Sequence, residues 1–263
     1  MLLENLLFFF ICLCTSIVGA ISGIGGGIII KPVMDGLGLL PVATVSFLSG
    51  CTVLCMSGVS IAGRDKSVRI RDGVSGYLAI GASVGGVAGK MLFTALTAGL
   101  ARQNLVGVIQ TAILLIVNVG VLVYIYHKEK LTRPPASGAA ICLLIGCLLG
   151  VISSFLGIGG GPLNIVMLAY FFGMRGKEAA LNSLFIIFCS QMTSLLNTVF
   201  SGAVPPFAWQ ALLAMCAGGV IGAACGRRVS ARIDDHKMDK LFKWTLLFLI
   251  ALNIVNLVRF LAG

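Results

Sequence analysis

The chain has 263 residues, of which 58% are hydrophobic and 11% charged, with a formal net charge of +10. A soluble globular domain carries about 25% charged residues, so this composition, with a mean hydropathy of +1.06, excludes a water-soluble fold. The excess of Lys and Arg sits between apolar runs of membrane-spanning length, where cytoplasmic loops of membrane proteins collect it, and this excludes nucleic acid as the partner.

The first apolar stretch, residues 5–36, opens like a secretion signal. It lacks a basic start, its only early charge being Glu4. Its pattern also returns later in the chain, so it reads as part of the mature protein. The stretch is broken by Gly23-Ile24-Gly25-Gly26-Gly27. Apolar regions follow at 42–62, 74–100 and 104–126, and a polar linker at 127–136 divides the chain. The second half repeats the scheme with regions at 138–172, 179–200, 207–226 and 243–262. The organisation is thus a first transmembrane repeat over 1–126, a cytoplasmic linker, and a second repeat over 137–263.

The repeat is visible in the residues. Gly19-Ala-Ile-Ser22 before the first glycine cluster matches Gly150-Val-Ile-Ser153 before Gly157-Ile158-Gly159-Gly160-Gly161. Gly85-Gly-Val-Ala-Gly89 matches Gly218-Gly-Val-Ile-Gly222, and Asn118 matches Asn253 more loosely. The separations are all about 134 residues. Matched loops carry opposite charge. The loop at 63–73 holds Arg64, Lys66, Arg69 and Arg71, whereas its counterpart at 201–209 is uncharged. Residues 97–104 hold only Arg102, whereas 227–243 hold Arg227, Arg228, Arg232, Lys237, Lys240 and Lys243. The loop at 35–41 has no cation, whereas 173–178 has Arg175 and Lys177.

Basic loops face the cytoplasm, so matched loops belong on opposite sides. Four full spans per half would not allow that. Three full spans plus one re-entrant hairpin would, and the two glycine-broken regions are the natural hairpins. The arm after each break has about 11 residues, roughly 16 Å of helix, or half of a 30 Å core. The expected fold is therefore an all-α polytopic membrane protein. It has two inverted structural repeats, each a glycine-broken re-entrant helical hairpin plus three transmembrane helices, with both termini outside. Pro162 suits the first position of its arm, whereas Pro32 lies deeper and should delay or kink its helix.

Broken helices survive in a membrane only inside protein or around a watery cavity. Helix starts that face such a cavity offer free N–H groups and a positive dipole end, which favour anions. The candidate substrate-binding residues are accordingly Gly25, Gly26 and Gly27 with Gly159, Gly160 and Gly161. Nearby donors are Ser22, Ser153, Ser154 and Asn164, then Thr44, Ser46, Asn182 and Ser183; Gln191 and Asn197 are weaker candidates. Each donor also has a plain reading as a helix–helix hydrogen bond. Lys31 and Lys90 lie inside apolar regions, where a charge costs about 2.5–3.5 kcal/mol on insertion scales. Lys31 reads as a substrate counter-charge or a partner of Asp35, and Lys90 as functional or as reaching an interface. Gly81, Gly85 and Gly89, like Gly218, Gly222 and Gly226, make one smooth face for helix packing. The nine cysteines lie in apolar stretches and read as packing residues, not as disulfides or metal ligands.

Three stretches, GAISGIGGGIIIKPVM (19–34), GVISSFLGIGGGPLNIVML (150–168) and KEAALNSLF (177–185), together with GGVAGK (85–90) and GGVIGA (218–223), resemble the TauE/SafE, or TSUP, family of sulfite exporters. The resemblance covers nearly the whole chain. It implies a multi-pass protein of the plasma (inner) membrane that exports a small sulfur-containing anion such as sulfite, thiosulfate, sulfoacetate or a related sulfonate. The partners it implies are that anion, membrane lipid and a coupling proton or Na⁺, with no cofactor and no metal. Neither glycine cluster is followed by the Lys-Ser or Lys-Thr of a phosphate-binding loop for ATP. The alternatives are an anion channel or a cation or metal permease of the same architecture. A permease would call for intramembrane His, Asp or Glu, yet His127 and His236 lie in basic loops. An intramembrane enzyme would need a nucleophile with a base, and neither is evident.

Overall fold

The computed structural model describes residues 2–64, 68–99, 103–127 and 138–262, all helix and short connections. Among the described residues each half holds five helices. The first has α1 (Leu2–Ser22), α2 (Gly27–Leu37), α3 (Val42–Ala62), α4 (Asp72–Gly99) and α5 (Gln103–His127). The second has α6 (Ala139–Leu156), α7 (Pro162–Phe172), α8 (Gly176–Phe200), α9 (Trp209–Arg232) and α10 (Asp235–Ala262).

The expected breaks at the glycine clusters are present, and each is followed by a helix of 11 residues. The arms before the breaks differ from expectation. At 21 and 18 residues, α1 and α6 are long and apolar enough to cross a membrane, which makes eight such helices among the described residues. Each break is therefore flanked by one long helix and one short one. Pro162 opens α7 as expected. Pro32 does not delay α2, which begins at Gly27 and carries the proline within it. The expected basic loop at 227–243 shrinks to two residues, 233–234, because α9 runs on to Arg232 and α10 starts at Asp235. Hydropathy marks the membrane core, whereas a helix continues through its charged ends. Of the linker, only His127 is described; Lys66 and Arg102 also lie outside the described residues.

Two glycine stripes bring helices into backbone contact. Gly218, Gly222 and Gly226 of α9 press on the carbonyl oxygens of Phe9, Leu13 and Ile17 of α1. Gly81, Gly85 and Gly89 of α4 press on those of Leu143, Cys147 and Val151 of α6. The four-residue spacing keeps each stripe on one face, the small-residue mode of membrane helix packing. In both pairs the numbers rise together, so the paired helices are parallel. The two central helices differ: Gly50 of α3 faces Gln191 and Leu195 of α8, and Gly58 faces Phe188. Hence α3 and α8 run antiparallel.

Ties between loops fix the two ends of the bundle. At one end, the Arg71 guanidinium donates to the Phe172 carbonyl (2.9 Å) and pairs with Glu178 (3.0 Å), and Lys177 reaches the Ala231 carbonyl (3.4 Å). At the other, the Thr44 hydroxyl donates to the Pro206 carbonyl (3.1 Å). Nearby, the Asn256 amide donates to the Pro32 carbonyl (2.7 Å) and Arg259 to that of Gly36.

The bundle is apolar outside and polar inside. Ile80, Val84, Ile116, Leu144, Leu213 and Val255 are exposed, while Ser16, Ser46, Ser49, Asn164, Ser183, Ser190 and Gln191 are buried. That arrangement suits lipid around the protein, since polar groups of membrane helices face the interior. Trp209 and Tyr126 stand exposed near opposite ends, as aromatic residues do at membrane interfaces. All nine thiols are free.

Candidate functional site

The two glycine turns meet. The Gly27 Cα faces the Ile158 carbonyl so closely that a methyl group there would overlap it, and Gly161 faces the Ile28 side chain. Around them stand Val53 and Met56, halfway along α3, and Ile187 and Gln191, halfway along α8. The turns thus sit at mid-depth between two antiparallel central helices, and Ile24, Ile28 and Ile158 are fully enclosed.

Local chemistry explains the turns. α1 runs past the level of Gly19 and the chain doubles back, with the Gly25 amide reaching the Gly19 carbonyl (3.4 Å). Gly25 has φ +77°, and Gly160 has φ +117°, a region only glycine enters freely. Gly26 has ordinary helical angles and caps α2. Its amide donates to the Met56 sulfur (3.1 Å), a weak acceptor. The amides of Gly27 and Ile28, and those of Gly161 and Leu163, have no acceptor among the described residues. These are the unpaired donors that every helix start leaves.

The expected donors divide into three groups. Asn164 has a buried Oδ1 with no hydrogen-bond partner, and its amide lies beside Gly160. Ser46 has an unpaired buried hydroxyl beside Gly157, and Ser154 and Ser183 are likewise buried and unpaired. These four keep hydrogen-bonding capacity in reserve. Ser22 has turned back on its own helix, donating to the Val18 carbonyl (2.7 Å). Ser153 contributes its carbonyl, which accepts from the Ile158 amide (3.2 Å) and closes α6.

Three further expected residues are engaged elsewhere. Asn182 accepts from the Arg71 amide (3.1 Å) and the Ser75 hydroxyl, and donates to the carbonyls of Arg69 (3.3 Å) and Glu178 (2.8 Å). Its capacity is spent on holding the loop at 69–71. Lys31 is paired with Asp35 at 2.7 Å, both buried. The partnership with Asp35 expected as one of its readings is therefore present. Thr44 ties the start of α3 to the loop at 201–208.

Sequence reasoning missed Ser16, Ser49 and Ser190 and underrated Gln191. All are buried with an unpaired polar atom. The Ser16 hydroxyl lies beside Gly26, and the Gln191 amide beside Gly159. A serine in an apolar run gives no sign of which way it faces until the helix is placed.

The sequence profile of the sulfite exporter TauE/SafE family matches residues 8–254. The chain belongs to that family. A probable membrane transporter protein, YunE of Bacillus subtilis (strain 168), is 33% identical over 98 residues, which is 36% of this chain and 35% of the relative. The chain thus aligns with about a third of that relative's length. No solved structure matches. The family assignment agrees with the resemblance read from the glycine stretches and with the eight span-length helices.

Proposed function

We propose that the protein is a secondary transporter, working as an exporter, for small sulfur-containing anions such as sulfite, thiosulfate or organosulfonates across the plasma membrane. The anion binds at mid-depth between the two glycine turns. One observation carries this reading. Two helix starts with unpaired amides converge at the midpoints of α3 and α8, beside the unpaired donors of Ser16 and Gln191. An anion satisfies several such donors at once, and the helix dipoles favour it further. The family's descriptive name, sulfite exporter, supplies the substrate class.

The reading includes two inverted repeats, each with a hairpin that leaves the core on the side it entered. The packed pairs support this. Phe9, Leu13 and Ile17 with Gly218, Gly222 and Gly226 answer to Leu143, Cys147 and Val151 with Gly81, Gly85 and Gly89. In that register Gly85 matches Gly222, one helical turn on from the sequence match with Gly218. The counterparts α3 and α8 are antiparallel, as inversion requires. The bundle end carrying Arg64, Arg69, Arg71, Arg175, Lys177, Arg227, Arg228 and Arg232 is then cytoplasmic, and residues 2 and 262 lie outside.

The test is flux in proteoliposomes of sulfite, thiosulfate and sulfoacetate, with and without an imposed proton or Na⁺ gradient. Saturable, gradient-dependent movement of one anion supports the reading. Non-saturating flux down its gradient alone indicates a channel, and movement of a cation instead overturns the substrate class.

A further inference from the structure

Lys31 and Lys90 are both buried lysines of the bundle interior, at 3% and 9% exposure, but their surroundings differ. Lys31 has a carboxylate at 2.7 Å. Lys90 has none: among the described residues the ion pairs are Lys31–Asp35 and Arg71–Glu178. The Lys90 ammonium rests 4.9 Å above the ring of Phe93. A cation–π contact of that kind answers part of the desolvation of an ammonium but leaves its charge in place. A buried, unpaired charge is rare in proteins and in membranes marks function.

The neighbourhood has the matching donors. Gly86 lies one turn before Lys90 on the same face of α4, because residues four apart share a face. Gly86 is close against the Ser190 hydroxyl of α8 and near the Ser154 hydroxyl of α6. Both hydroxyls are buried and lack a hydrogen-bond partner. Phe93 belongs to the same extended apolar cluster as Ile24, Ile28 and Ile158 of the two turns. The Lys31 ammonium and the Cys51 thiol lie within electrostatic range of the Lys90 ammonium. Asp35 holds Lys31, so the local charge that remains is that of Lys90.

We propose that Lys90 is the counter-charge of the bound anion, with the Ser154 and Ser190 hydroxyls as its hydrogen-bonding partners. The ligand class is a compact sulfur oxyanion, whose oxygens accept from an ammonium and hydroxyls together. The proposal rests on the anion reading given above and names the residue within it that recognises charge. In the empty protein the ammonium is uncompensated, and the arriving anion neutralises it.

The experiment compares purified wild-type protein with Lys90→Met and Lys90→Arg. It reads melting temperature without ligand and its rise on titration with sodium thiosulfate, sodium sulfite or sodium sulfoacetate, with sodium chloride as the reference. The wild type should be stabilised by at least one sulfur anion. Lys90→Met should lose affinity by 100-fold or more, yet melt at or above the wild-type temperature without ligand, since it removes an uncompensated charge. Lys90→Arg should keep affinity within about tenfold. Wild-type affinity in Lys90→Met would overturn the assignment of Lys90 while leaving the anion reading intact. Absence of any anion effect on the wild type would overturn both. Should Lys90→Met not fold, Lys90→Gln takes its place. Failure of both to fold contradicts the proposal, which requires the neutral site to be at least as stable.

Discussion

Lys31 and Asp35 form an ion pair of 2.7 Å one turn apart on α2, both side chains nearly sealed from solvent. The second oxygen of Asp35 has no partner. Removing one member of a buried pair strands the other charge, at a cost of about 3–5 kcal/mol, whereas replacing both by apolar residues is often neutral or stabilising. Asp35→Asn should therefore lower the melting temperature sharply. The double variant Lys31→Met with Asp35→Leu should recover most of it. Equal melting temperatures for wild type and Asp35→Asn would mean that the pair does not hold α2.

The glycines of the two turns should not be equally sensitive. Gly27 abuts the Ile158 carbonyl and Gly160 has φ +117°. A side chain at Gly27 displaces backbone, and one at Gly160 costs about 1–3 kcal/mol in strain. Gly26 has ordinary helical angles, and its nearest neighbours are side-chain atoms of Met56 and Ser16. Gly27→Ala and Gly160→Ala should abolish flux in protein that still inserts, while Gly26→Ala keeps a substantial fraction. Proteoliposome uptake alongside gel filtration measures both; a Gly26→Ala variant as inactive as the others would show that the contact geometry is not what matters.

Asn182 makes four hydrogen bonds, two to the loop at 69–71 and one each to Ser75 of α4 and Glu178 of its own helix. Leaving buried partners unsatisfied costs about 1–3 kcal/mol. Asn182→Ala should destabilise by that order and leave the KM for the transported anion within about twofold. A large rise in KM with unchanged stability would return Asn182 to the binding site.

The proposed inverted topology makes an accessibility prediction. In a protein whose nine native cysteines are replaced, Val204→Cys should react with a membrane-impermeant maleimide applied outside. Arg69→Cys should react only after the membrane is opened. The reverse pattern, or labelling of both from one side, contradicts the inverted arrangement.

The large features of the fold were legible in the sequence because they depend on composition and periodicity. The glycine breaks, the short arms after them and the smooth stripes at Gly81–Gly89 and Gly218–Gly226 can be read from residue type and spacing. The length of α1 beyond mid-depth could not, since an apolar run does not reveal where it crosses the core. The same holds for the site. Glycine clusters announce a turn, but Ser16 and Ser190 look like any other membrane serine, and their roles depend on which helix they face. Lys31 and Lys90 both read as charges in apolar runs, with Asp35 already offered by the sequence as a partner for Lys31. Asp35 distinguishes them, being placed one turn from Lys31, with no counterpart near Lys90.

The most direct test of the central claim, that an anion is carried between the two turns, is thiosulfate counterflow in proteoliposomes for wild type and for Gly160→Leu. Unlabelled thiosulfate inside should drive saturable entry of labelled thiosulfate in the wild type and none in the variant. The same experiment runs with sulfite and sulfoacetate. Equal exchange in both proteins would contradict a site at the turns, and no exchange of any of the three anions by folded wild type would contradict the anion reading itself.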